Sequence, residues 1–128
     1  MKSVFRPLLF VLLFFFVCYT NAQSITGIWL TENDESKIEI YEKNGEFFGK
    51  VIWAKEQTEK AQKGVGVIVL RNFVHQKDNT YMGSIFAPHL DKIVSGTITS
   101  KSEDEMVVRG YFGISLLGSS QKWKRVKK

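Results

Sequence analysis

The chain has 128 residues, with 18 basic and 13 acidic side chains, two histidines, one cysteine and a formal net charge of +5. A single cysteine excludes an internal disulfide, and so mild a charge gives little footing for nucleic-acid binding. No stretch of the sequence carries a catalytic or cofactor motif.

Residues 1–22 have the layout of a secretory signal peptide. Lys2 and Arg6 precede an apolar block from Leu8 to Tyr19, and Thr20-Asn21-Ala22 offers small and polar residues for cleavage after Ala22. The block is about a dozen residues, short of the roughly twenty that a membrane-crossing helix needs. Cys18 follows the bulky Phe16 and Val17, where a lipoprotein signal wants small residues, so it is expected to be an ordinary hydrophobe of the leader. Cleavage leaves 16 basic and 13 acidic residues, a formal charge of +3, with much of the excess in Lys122, Lys124, Arg125, Lys127 and Lys128. Charges at a chain end are expected to be solvated. Residues 23–128 suit a single domain with one core, in a protein that is exported to the periplasm or secreted.

From Ser24 onward the apolar period is two rather than 3.6, and no amphipathic helix of useful length is predicted. Ile25 to Leu30 is a first strand and Thr31 to Ser36 a polar turn. Lys37 to Glu42 alternates polar and apolar residues, as a half-exposed strand does. Asn44-Gly45 is a two-residue hairpin turn, because both positions tolerate the positive φ that the favoured turn requires. It leads into a third strand, Glu46 to Lys55, with Phe47, Val51 and Trp53 on one face and Gly49 marking a bend or bulge.

Glu56 to Lys63 is a charged connection. Val65 to His75 follows as a long strand, apolar on both faces from Val67 to Leu70. After the turn at Lys77-Asp78-Asn79, strands are predicted over Tyr81 to Phe86, Ile93 to Ser100, Glu105 to Tyr111 and Gln121 to Val126, with Pro88 and Lys101 to Asp104 as breaks. Phe112 to Gly118 is an apolar, Gly-bracketed stretch. The pattern predicts an all-β protein of about eight strands, closed as an antiparallel up-and-down barrel because closure removes exposed edges.

Gly27-Ile28-Trp29 on the first strand and Trp123-Lys124-Arg125 on the last resemble the lipocalin and calycin pattern. That resemblance implies that Trp29 lies at the closed end with Arg125 across its ring in a cation–π contact. Gly27, Trp29, Trp123 and Arg125 would then build the barrel floor. A longer resemblance joins Gly27-Ile28-Trp29, Ile38 to Gly45, Gly49 to Trp53, Arg109 to Gly118 and Gln121 to Val126. Together they are similar to the bacterial domain-of-unknown-function family 2147, which implies an exported compact β domain. Two departures stand out. The longer segment with an Asp-x-x-Asn-Pro-Asp motif expected after the third strand is replaced by Glu56 to Lys63, and Phe86-Ala87-Pro88 stands where Tyr-Asp-Pro is expected.

Residue by residue, catalysis is not expected. His75 and His89 have no metal-ligand spacing around them, and Glu103-Asp104-Glu105 lies in a turn. Ser115, Ser119 and Ser120 lack a nucleophile elbow. The expected function is instead a non-catalytic barrel that binds a small apolar or amphipathic ligand against Phe47, Trp53, Phe73, Tyr81 and Phe86. Arg109, Tyr111 and Gln121 are added as polar contacts or as a network supporting the Phe112 to Gly118 bend. The expected partner is a small hydrophobic ligand, with no cofactor or metal and no nucleic acid, and with a membrane only during export. The alternative is a cell-envelope interaction or scaffold protein acting through its outer surface, with Phe112 to Leu117 as its contact patch.

Overall fold

The computed structural model describes residues 24–88, 91–111 and 118–127, so residues 1–22, where a leader is predicted, and the Phe112 to Leu117 stretch lie outside the described residues. The strands are β1 (Gly27–Leu30), β2 (Ser36–Lys43), β3 (Glu46–Ala54), β4 (Ile68–His75), β5 (Thr80–Ala87), β6 (Lys92–Ser100), β7 (Glu105–Tyr111) and β8 (Gly118–Arg125), with one short helix, α1 (Glu59–Lys63), between β3 and β4. Each strand pairs antiparallel with the next, and β8 returns to β1, giving a closed up-and-down barrel.

Local chemistry sets the elements. In β2 Ile38 and Ile40 are buried while Glu39 between them is exposed, which is the alternation of a wall with one dry face. Asn44 and Gly45 adopt φ of 56° and 82°, and Lys43 pairs with Glu46 across them. Thr58 caps α1 by accepting the Ala61 N–H on its hydroxyl at 3.2 Å. The Gly66 N–H donates to the Val51 carbonyl at 2.7 Å. Residues predicted as a bare connection therefore make a helical turn, and β4 begins at Ile68 rather than Val65.

Two irregularities change which way side chains point. The β2–β3 register shifts between Lys37 and Ile38, leaving Ile52 without a register partner. A bulge of this kind reverses the alternation beyond it. Trp53 is therefore not on the face of Phe47 and Val51. It points outward, 38% exposed, with the Lys37 ammonium 5.0 Å from its ring centre. In β4 Asn72 sits at φ 56°, and the pairings with β3 and β5 slip around it, which returns Phe73 to the interior. Register shifts also flank Gly49.

One end of the barrel is joined by short turns at 44–45, 76–79 and 101–104; the other carries the connections 31–35, 55–67, 88–91 and 112–117. The short-turn end is the floor. Residues 24–26 cross it, burying Ile25, whose carbonyl accepts the Trp29 indole N–H at 2.8 Å. Trp29 is wholly buried, and the Arg125 guanidinium lies over its ring at 4.4 Å. That guanidinium donates to the carbonyls of Glu103 at 2.7 Å, Thr26 at 2.5 Å and Ser24 at 3.0 Å. Gly27 is required beside it, because its φ is 132° and a Cβ there would stand 2.6 Å from Arg125 Nη1. Above the floor Ile40, Phe73, Tyr81, Ile98, Met106 and Trp123 pack into one core.

Replacing Arg125 with Lys keeps the charge but loses the planar fork that reaches three carbonyls. Arg125→Lys is expected to lower unfolding free energy by about 2 kcal/mol, read as a lower midpoint in urea. A change below about 0.5 kcal/mol would show that the floor holds without the guanidinium.

Candidate functional site

The inner wall is aromatic toward the floor and aliphatic, with Ile38, Val51 and Leu70, toward the loop end. Phe47 and Phe73 are register partners, and Phe47 meets Tyr81 edge-on at 5.4 Å. His75 meets the same Tyr81 ring at 5.1 Å. Phe73 is fully buried and fills the space over Gly83, where a Cβ would lie 2.7 Å from its Cγ. These three of the five predicted lining aromatics face inward, but they are packed against one another in the floor half. The other two face out. Trp53 is turned by the bulge, and Phe86 alternates away from the inward Ile85, with the Arg71 guanidinium 4.6 Å from its ring.

The polar candidates divide in the same way. Arg109 and Tyr111 lie on the outer face of β7, alternating with the buried Val108 and Gly110. Arg109 stacks on Tyr111 at 5.2 Å and donates from Nη1 to the Ser120 hydroxyl at 2.9 Å. The Tyr111 and Thr97 hydroxyls are 3.4 Å apart. Gln121 points inward, in register with Val108, and its Oε1 accepts the Trp123 indole N–H at 2.9 Å. It is the one polar candidate on the inner wall, and it is nevertheless exposed.

The reason lies in the seam. β1 pairs with β8 only at Trp29–Arg125 and Leu30–Lys124. Beyond Leu30 the chain leaves the wall in a tight turn over Glu32–Asp34, and the Glu32 carboxylate takes the Lys122 N–H at 3.2 Å in place of a strand carbonyl. Among the described residues, Gly118 to Gln121 have a strand neighbour on the β7 side only. The wall is parted there.

Beside the parting runs a belt of minimal side chains. Gly83, Gly96, Gly110 and Ser119 are successive register partners across β5, β6, β7 and β8, all on the inner face. Phe73 fills the belt at Gly83 and Ile85 fills it at Gly96. Its far end is the buried Gly110 and the exposed Ser119, next to Gln121. Sequence reasoning missed this belt, although a glycine inside an otherwise β-branched strand is itself the signal for a close approach.

The remaining titratable candidates are dispersed. His75 Nε2 bonds the Asp78 carbonyl at 2.7 Å, and His89 and Ser115 lie outside the described residues. Asp104 pairs with Lys127 at 3.1 Å, and Glu105 stands opposite Lys124. Among the described residues no three His, Cys, Asp or Glu side chains come together as a metal-ligand group. Among the described residues Tyr81 is the perturbed group. Burial pushes its phenol above the usual value, and the nearby Glu42 carboxylate adds to the shift.

A closed up-and-down barrel with an N-terminal crossing of its floor and an arginine over a floor tryptophan is lipocalin-like. Protein HP1028 from the human pathogen Helicobacter pylori, described as belonging to the lipocalin family, shares this fold with a TM-score of 0.69 at 17% identity, over 84% of this chain and 86% of that one. A redesigned β barrel matches with a TM-score of 0.51 at 12% identity, over 81% of this chain and 92% of the other. No curated protein matches the sequence. Residues 27–125 match the family described as "Uncharacterized protein conserved in bacteria (DUF2147)", and the chain belongs to that family.

The Tyr81 shift gives a pH test. A phenol whose folded pKa is raised contributes stability in full below the unfolded value of about 10, and loses it as pH climbs through the folded value. Tyr81→Phe is expected to flatten the alkaline fall in urea-unfolding free energy above about pH 10 relative to the native chain. Parallel profiles would show that another group governs that limb.

Proposed function

We propose that this protein is an exported, non-catalytic binding barrel that takes a small apolar or amphipathic ligand at the loop end, with Gln121 as its polar contact. The observation that carries it is that Gln121 faces the interior yet is exposed, beside the parted seam and the Gly110–Ser119 end of the belt. Below it the floor half is filled by Phe47, Phe73 and Tyr81, so the ligand sits above this aromatic layer rather than among it. Ile38, Val51, Leu70 and Ile85 fill the β2–β5 side of the loop half, so the ligand is assigned to the Gly110–Ser119 side beside Gln121, and a barrel of this strand number has room for one small ligand. The lipocalin-like neighbour supports the choice of a binding barrel as analogy of fold, and the leader-like residues 1–22 support export to the periplasm or beyond.

Native mass spectrometry of the protein purified gently from its own host tests the proposal. A bound small molecule is expected on the native chain and its loss on Ser119→Phe, which sets a ring beside Gln121 at an exposed position and leaves the unfolding midpoint in place. A bare native protein, or an adduct that survives Ser119→Phe, would overturn the placement of the site. Trp53→Phe makes a second readout cleaner by removing the exposed indole. Emission then comes from Trp29 and Trp123, and ligand entry is expected to shift it through the Gln121–Trp123 hydrogen bond.

A further inference from the structure

We propose that the outer face of β5–β8, together with Arg71 on β4, is a second, separate binding surface for an acidic glycan chain. The observation is a cross-strand pattern. Arg71, Ser84, Ser95 and Tyr111 are successive register partners, and the adjacent outward row holds Thr97, Arg109 and Ser120. Hydroxyls therefore fill the space between two guanidiniums, across about 14 Å of sheet at the usual strand spacing.

Both arginines are held rather than free to wander. Arg71 lies on Phe86 at 4.6 Å, with its Nε donating to the Ile68 carbonyl at 2.8 Å. Arg109 lies on Tyr111 and bonds Ser120. Among the described residues neither is paired with a carboxylate. Alternation places only one carboxylate on the outer face of these strands, that of Glu105, and it stands opposite Lys124 at the floor end. A guanidinium fixed in plane with unused N–H donors matches a carboxylate or sulfate oxygen pair. The intervening serine and threonine hydroxyls match the hydroxyls of a sugar.

The shape favours a thin polymer. A barrel wall is convex, so a flat bilayer touches it along one line, whereas a chain can follow a register row from strand to strand. Met82, 51% exposed, stands in the Thr97–Arg109 row and offers an apolar contact to the C–H face of a sugar ring.

Titration calorimetry of the full chain with hyaluronan, dextran sulfate and uncharged dextran provides the test, beside flotation with phosphatidylglycerol vesicles. Binding to at least one of the acidic polymers, none to dextran, and at least a roughly ten-fold loss in Arg71→Gln/Arg109→Gln are expected. Lys60→Gln/Lys63→Gln removes the same charge from α1 and is expected to stay within about two-fold. An equal loss in both double variants would reduce the effect to net charge and overturn the proposal. Capture by vesicles with no binding to either acidic polymer would overturn it too. Should the arginine variant unfold, Arg109→Lys keeps the charge and removes only the fork, and unchanged affinity there would be equally damaging. Ser119→Phe is expected to leave glycan binding intact, which separates this surface from the inner cup.

Discussion

The Arg125 guanidinium joins parts of the chain that are otherwise far apart in sequence. It ties the carbonyls of Ser24 and Thr26 at the start of the domain and of Glu103 in the β6–β7 turn to the last strand, with the Trp29 ring beneath it. That matters because the seam of this barrel is its weakest ladder: two register pairs close β1 on β8, where β5 and β6 share eight. A side chain with donors spread in one plane can hold three carbonyls at once, and an aromatic face accepts its charge without demanding a buried carboxylate. Gly27 is the matching concession on β1, leaving room where any Cβ would collide.

A seam pinned at the floor and loose above it gives the barrel a direction. At the pinned end the large side chains fit against one another, and Phe73 lies across Gly83 because no side chain opposes it. At the other end Ile38, Val51 and Leu70 are buried as well, but beside the seam the Glu32 carboxylate substitutes for a strand neighbour at Lys122 and the inner wall carries Gly110 and Ser119. An asymmetry of this kind between the two sides of a barrel needs no cavity-specific residues. It follows from where large and small residues fall in the pairing register, and the inward amide of Gln121 is exposed on the small-residue side.

The strand order, the Asn44-Gly45 hairpin and the Trp29–Arg125 contact were all legible, because each is written in local residues or in a pattern shared by many barrels. The facing of individual side chains was less so. Counting by twos through β3 put Trp53 inside, since nothing in Lys50-Val51-Ile52-Trp53 announces that Ile52 is the extra residue of a bulge. Phe86 was misplaced for a related reason. An aromatic in a strand suggests core, and only its register with Ile93 and the nearness of Arg71 show that it is outside. Arg109 and Tyr111 stood in the most distinctive block of the sequence, yet their common parity with Thr97 and Ser120 required the pairing of three strands. The Gly83–Gly96–Gly110 belt was invisible for the same reason: it is one row in space and three isolated glycines in sequence.

The bulges themselves are unevenly placed. Register shifts occur between β2 and β3, β3 and β4, and β4 and β5, whereas β5–β6, β6–β7 and β7–β8 pair without interruption. The uninterrupted half is the one that carries the glycine belt inside and the Arg109–Tyr111–Ser120 group outside. In β7 the two are interleaved residue by residue, Arg109 out, Gly110 in, Tyr111 out. A slip of one position would drive a guanidinium and a phenol into the belt and expose the glycine. In β4 the irregularity falls after Arg71, at Asn72, so the outward guanidinium stays in register with Ser84 while Phe73 returns to the interior over Gly83.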